Sequence, residues 1–215
     1  MPCRSHEKGR FMKKSFVLFG LLLTGLVCSA TPISMVFVGF HAPAWQTGYP
    51  YFATVNGGSP LAVMCDDYVH GGFPGQAWEA NFTNLGSQNF SQVRFNQLVT
   101  PWVPYSQAGW LFLQTQVTPP SQWADINFAV WFIFDHSVPL TPAQQHWVDL
   151  ARQEAGEGFP GVDFHQVGIY TPVNQHDPNP EGPQEFLALL SAPEPGTMVL
   201  LAGGLLGVLT RKKLH

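Results

Sequence analysis

The chain has 215 residues with 10 Lys+Arg, 14 Asp+Glu and a formal net charge of −4. The bases crowd at the two ends: between Thr31 and Ala192, Arg94 and Arg152 face twelve acids, a net charge of −10. That balance excludes nucleic-acid binding through phosphate contacts and disfavours an anionic lipid surface, and a stretch without lysine cannot form a Lys–Asn isopeptide cross-link.

In chain order, Met12-Lys13-Lys14 is a compact basic segment, Phe16 to Val27 an apolar one, and Cys28-Ser29-Ala30 a run of small residues. This is the pattern of a cleaved secretory signal. Residues 1–30 are therefore read as an upstream extension plus signal peptide, with translation starting at Met12. Cys28 does not read as a lipid-attachment site, because Val27 before it is bulkier than the small residue such sites need. Residues 31–191 form one exported domain, long enough to bury a core. Cys3 and Cys28 fall in the removed part, which leaves Cys65 alone and rules out a disulfide framework within the monomer. A single thiol in an exported domain is an intermolecular bond, a reactive thiol or a buried inert one.

Within the domain, Ile33 to Phe40 is a continuous apolar run and predicts a buried strand. Gly48 to Val55, the turn Asn56-Gly57-Gly58 and Leu61 to Cys65 predict a hairpin. Asp66 and Asp67 end that strand, where acids are usually solvated. Gln76 to Leu85 predicts a further strand, and Gly86 to Pro104 is mostly loop. Tyr105 to Gln116 places Tyr105, Ala108, Gly109 and Phe112 on one helical stripe. After the Pro119-Pro120 break, Ser121 can cap a second helix to about Asp135, with Trp123, Ile126, Asn127, Val130 and Phe134 on its stripe. Asn127 is the polar member. A third helix runs from Thr141, with Pro142 in its first turn, to Ala155, ended by Gly156 and Gly158. Val162 to Tyr170 and Glu185 to Leu190 predict closing strands. Strands, then helices, then strands predict an α+β fold, antiparallel and β-rich with three central helices.

The tail, residues 192–215, has Pro193-Glu194-Pro195, an uncharged run from Thr197 to Thr210, then Arg211-Lys212-Lys213. The run has 14 residues, short against the roughly 20 that span a bilayer as a helix. Its glycines suit a membrane helix better than a soluble one, and the basic cluster would sit at the cytoplasmic face. The order of these three parts resembles the PEP-CTERM sorting signal of Gram-negative bacteria. The resemblance implies a short transmembrane helix, a transient stay in the inner membrane, processing near Pro193-Glu194-Pro195 by an exosortase-like enzyme, and delivery to the cell surface or extracellular matrix.

A second resemblance rests on Met64-Cys65-Asp66-Asp67-Tyr68, Tyr105-Ser106-Gln107-Ala108-Gly109-Trp110-Leu111 and Asp125-Ile126-Asn127-Phe128-Ala129-Val130-Trp131. These blocks are similar to the thioester domains of bacterial surface adhesins, in which a strand cysteine joins a helix glutamine. Cys65 matches the cysteine and Ala129-Val130-Trp131 the residues after the glutamine, but Asn127, one methylene shorter, stands in the glutamine's place. The resemblance implies a thioester-domain-like fold and Cys65 with Asn127 as a possible thioester pair. From the residues alone, the favoured reading is that Cys65 is a small buried hydrophobe and Asn127 a hydrogen-bonding tie between strand and helix.

Asp66, Asp67 and His70 do not have a recognised metal-ligand spacing, and no phosphate loop, His-Glu-x-x-His or Gly-x-Ser-x-Gly motif is present. His70 or His136 beside Cys65 would raise the reading of a secreted hydrolase. The expectation is a structural or adhesive exported protein, not an enzyme, without cofactor or metal, with an extracellular polysaccharide or surface ligand as partner. A covalent adhesin with a thioester at Cys65 and a secreted hydrolase are the alternatives.

Overall fold

A computed structural model of the protein describes residues 32–40, 49–174, 176, 179–180 and 182–190. Six strands close into an antiparallel barrel: β1 (Ile33–Phe40), β2 (Tyr51–Val55), β3 (Leu61–Cys65), β4 (Ala77–Asn84), β5 (Val167–Pro172) and β6 (Phe186–Leu189), in the spatial order β1-β2-β3-β6-β5-β4. Three helices, α1 (Trp102–Gln114), α2 (Trp123–Phe134) and α3 (Pro142–Glu157), sit between β4 and β5 in the chain. The β-rich order with three central helices is as expected; closure into a barrel is what the sequence pattern does not show. The signal peptide and the tail helix lie outside the described residues.

Strand periodicity builds two cores. Val63, Cys65, Tyr170, Phe186 and Ala188 join Met35, Phe37, Ala53 and Ala80 in a cluster inside the barrel. The alternate residues Met64, Val167, Ile169 and Leu187 point the other way and enter the helix core with Tyr105, Leu111, Ile126 and Val130. The helices therefore cover the outer face of β3, β6 and β5. This is why all six residues of β5 are buried. β1 corrects the expectation of a strand buried throughout. Met35 and Phe37 face the barrel, whereas Val38 and Phe40 remain 45% and 40% exposed, because the helices leave this part of the outer face open.

The hairpin between β2 and β3 forms as predicted. Asn56 and Gly57 take φ of 49° and 70°, and the Gly58 N–H donates to the Val55 carbonyl at 2.9 Å. Asn and Gly enter this left-handed region at least cost, and the resulting turn suits strand twist. β5 starts only at Val167, after a short 3₁₀ turn at Phe164–Gln166.

Helix ends match the sequence unevenly. α3 has a full capping box, with Thr141 accepting from the Gln144 N–H and Gln144 accepting from Thr141, and it stops at Gly158 with φ of 76°. α1 starts at Trp102, three residues before the predicted Tyr105, since Pro104 fits a first turn that needs no N–H. Ser121 does not cap α2. It lies inside a 3₁₀ turn, Pro120–Gln122, that leads into the helix.

Gly109 on α1 is where backbone approach is closest. A Cβ there would collide with Leu85 Cδ2 and touch the Phe164 ring at 3.4 Å. Gly109→Ala is expected to lower stability by about 1–3 kcal/mol through overpacking, despite a helix-propensity gain of up to about 1 kcal/mol. Urea unfolding midpoints of the two proteins check this.

Candidate functional site

The register of three strands assembles a buried polar row. Cys65 pairs with Phe186, and Phe186 with Tyr170. The next position along places Asp66, Glu185 and Thr171 side by side, with the Asp66 N–H 3.5 Å from the Glu185 carbonyl. Since their neighbours face the barrel, these three side chains face the helices. All three are fully buried.

Glu185 is the centre of the row. Its carboxylate accepts from the Tyr105 hydroxyl at 2.5 Å, from the Arg94 backbone N–H at 2.8 Å and from the Thr171 hydroxyl. Asp66 lies against it. Two carboxyl groups in a dry site cannot both ionise cheaply. Burial, then the Glu185 charge, pushes the Asp66 carboxyl well above the usual range. Burial also raises Glu185, against the pull of its three donors. Asp66 thus carries the proton of the pair, beside the Glu185 carboxylate. Burial and the same carboxylate raise the Tyr105 hydroxyl.

Asp67 turns toward the loop that carries Arg94. Arg94 Nη1 lies 2.8 Å from Asp67 Oδ2, Nη2 donates to the Pro183 carbonyl at 2.7 Å, and Nη1 meets His70 Nδ1 at 2.6 Å. The Val69 and His70 N–H groups donate to Asp67 Oδ1, and Gln184 Nε2 donates to the His70 carbonyl. The expectation that Asp66 and Asp67 are solvated at a strand end is therefore corrected. They are 0% and 2% exposed, because α1 and the Arg94 loop close over the end of β3. A cation for Asp67 is already supplied by Arg94, which leaves the Asp66/Asp67/His70 set poorly arranged for a metal.

Cys65 and Asn127 do come together. Asn127 Nδ2 donates to the Cys65 carbonyl at 2.9 Å, tying α2 to the end of β3. Asn127 Oδ1 is buried and has no hydrogen-bond partner among the described residues. The thiol itself donates to the Asp67 carbonyl at 3.0 Å and accepts from the Asp67 N–H at 3.3 Å. Burial, then the carboxyls of Asp67 and Asp66, pushes the Cys65 thiol up, so it stays protonated. His70 belongs to the Asp67–Arg94 group, and the His136 ring lies 5.0 Å from that of Phe132. Neither is brought to the sulfur by a described hydrogen bond.

Glu185, Thr171 and Arg94 were not visible as site residues in the sequence. Arg94 left one signal, as one of two bases in an acidic domain. Tyr105 appeared only as an apolar stripe member.

The sorting residues Pro193, Glu194, Pro195, Arg211, Lys212 and Lys213 lie outside the described residues. Residues 191–213 match the model of the PEP-CTERM protein-sorting motif. The tail is a PEP-CTERM sorting motif. Such motifs are recognised by exosortase, so the chain is an exported protein that passes through the membrane to the cell surface. No curated protein matches the chain. Among solved structures, the N-terminal domain of the Streptococcus pyogenes pilus tip adhesin Cpa is similar at 10% identity and a TM-score of 0.45, over 75% of this chain and 94% of that one. The PEP-CTERM motif begins at Ser191, two residues after the last residue of β6.

Asp66→Asn tests the proton on Asp66, because an amide of the same shape stays neutral at every pH. Asp66 is protonated in the fold and ionised in the unfolded chain above about pH 4. The stability it contributes is therefore fully present below that pH and lost as pH rises through its raised folded value, at up to about 1.4 kcal/mol per unit. The variant is expected to gain stability relative to wild type as pH rises from 4 to 8, read from urea midpoints across that range. Arg94→Met, which leaves Asp67 buried without its cation, is expected to cost about 3–5 kcal/mol in the same assay at pH 7.

Proposed function

We propose that the protein is a non-catalytic component of the cell surface or extracellular matrix. It is held transiently in the inner membrane by residues 197–210, cut near Pro193-Glu194-Pro195 by exosortase, and then serves a structural or adhesive role toward extracellular polysaccharide or another surface ligand. The observation that carries this reading is the sorting motif at residues 191–213, which begins two residues after the last strand of the barrel. One feature supports the non-catalytic part and another the extracellular location. Asp66, Glu185, Thr171 and Tyr105 are fully buried, so no substrate reaches their titratable groups. The domain's high negative charge and lack of lysine suit solubility outside the cell.

A second reading is a covalent adhesin with a Cys65–Asn127 thioester. It is favoured by the buried Asn127 side chain lying at Cys65, where its amide donates to the backbone carbonyl rather than meeting the thiol, and by the unpaired Asn127 Oδ1. In that bond Cys65 Sγ would add to Asn127 Cγ, the thiol proton would pass to Nδ2, and ammonia would leave.

Intact mass of the protein recovered outside its own cells tests both readings. The expected mass is that of the domain without Thr197 to His215, with Cys65 free and no change on treatment with methylamine. Retention of the tail in fully exported protein overturns the sorting reading. A mass short by one ammonia, replaced by a methylamine adduct, establishes the thioester instead. Changing Pro193, Glu194 and Pro195 together to alanine is expected to leave the protein uncut and cell-bound, as read by immunoblot of cells and medium.

A further inference from the structure

The fold ends close to the segment where the proposed processing occurs. β6 finishes at Leu189, and the Leu190 N–H is held by the Gln166 carbonyl at 2.8 Å. From Leu190 to Pro195 there are five residues, which reach at most about 18 Å when fully extended. An enzyme working on Pro193-Glu194-Pro195 therefore works within about one helix diameter or two of the folded domain.

The surface at that exit is not featureless. A groove of about 430 Å³ is bordered by Trp110, Leu113, Val117, Val162, Gln166 and Leu189. Val117 is 78% exposed and Leu189 40%. Asp163 is the one ionisable residue lining the groove, and its Oδ1 accepts from the His165 N–H at 2.9 Å. The groove thus offers apolar side chains and amides to a partner and almost no charge, on a domain whose net charge is −10 between Thr31 and Ala192. Among the surfaces of this domain it fits an apolar, uncharged contact, and its rim carries the residue from which the chain leaves.

We infer that this groove is a second contact for the exosortase that reads the sorting motif, seating an apolar, uncharged part of that enzyme beside the exit of β6. The inference rests on processing near Pro193-Glu194-Pro195. A short tether makes the contact effectively intramolecular once the motif is engaged, with an effective concentration in the millimolar range. A groove that binds only weakly on its own then still aids processing. The contact also distinguishes a folded domain from an unfolded one, because α1, the Gly161–Gln166 segment and β6 border the groove together only when the barrel is closed.

The test is pulse-chase processing of the full chain in its own cells. Val117→Glu and Gln166→Glu place charge in the groove at exposed positions, and Val99→Glu places it at a fully exposed site before α1. The first two are expected to slow processing at least threefold and the third to leave it unchanged, with equal thermal midpoints for all three. Ten Gly/Ser residues inserted between Leu190 and Ser191 are expected to slow processing as well, since a longer tether dilutes the second contact. Groove variants cut at the wild-type rate, equal slowing by Val99→Glu, or faster cutting of the longer linker would each overturn the inference. The triple alanine change at Pro193, Glu194 and Pro195 separates the two levels. If it blocks processing while the groove variants do not, only the groove contact fails; if it is cut normally, the sorting reading fails with it.

Discussion

The burial of Asp66, Glu185 and Thr171 side by side is the constraint on which the middle of this molecule depends, and it requires one carboxyl to keep its proton. Three strands meet there, and without that proton two negative charges would face each other across a strand pair in a site closed to water. Like charges opposed in this way destabilise a sheet. A proton on Asp66 removes that repulsion, and Tyr105, Thr171 and the Arg94 backbone donate to the Glu185 carboxylate. Hydrogen bonds in a buried polar network rigidify what they join. Here the network joins β3, β5, β6, α1 and the Arg94 loop. It therefore specifies how the helices sit on the barrel in a way that the apolar contacts, which tolerate sliding, do not.

The neighbouring ion pair of Arg94 with Asp67 extends the same logic toward the surface. In a domain with so few bases, the burial of one of them is costly unless its charge is met, and it is met by Asp67 and by the Pro183 carbonyl. The guanidinium also fixes the segment before β6. Arg94 thus links the loop before α1 to the approach to Glu185, so the ion pair and the buried carboxyl row are two ends of one network.

The sequence shows local structure here better than it shows the site. The β2–β3 turn was legible because Asn56-Gly57 has one cheap backbone solution, and α3 because Thr141 and Pro142 mark its start and Gly158 its end by specific chemistries; Gly156, read as part of that end, lies inside the helix, and the Gln144 half of the capping box was not read. β1 was misjudged because a run of apolar residues looks the same whether one face or two are covered; which it is depends on where the helices pack. Ser121 had the right residue type for a cap, but Pro119-Pro120 starts a tighter turn first. The row Asp66–Glu185–Thr171 was out of reach for a different reason. Its members meet only through the pairing of β3, β6 and β5, and nothing near Asp66 in the chain announces a partner more than a hundred residues away. The contact of Cys65 with Asn127 was reachable because a lone polar residue on an apolar helix stripe needs a buried partner. The geometry then places the amide on the Cys65 carbonyl.

The position of β6 has a consequence for how the domain comes into being. Its partners are β3 and β5, and Cys65 and Phe186 pair across about three quarters of the domain sequence. Closing such a long loop must precede any reward from the contacts it makes, which slows folding. Until Phe186 to Leu189 are available, β3 and β5 each present an open edge, and open edges invite pairing with other chains. The nascent domain therefore stays incomplete until its last few residues emerge. A chain cut a handful of residues too early would not merely lose its end. It would lose the stave that turns a curled sheet into a barrel.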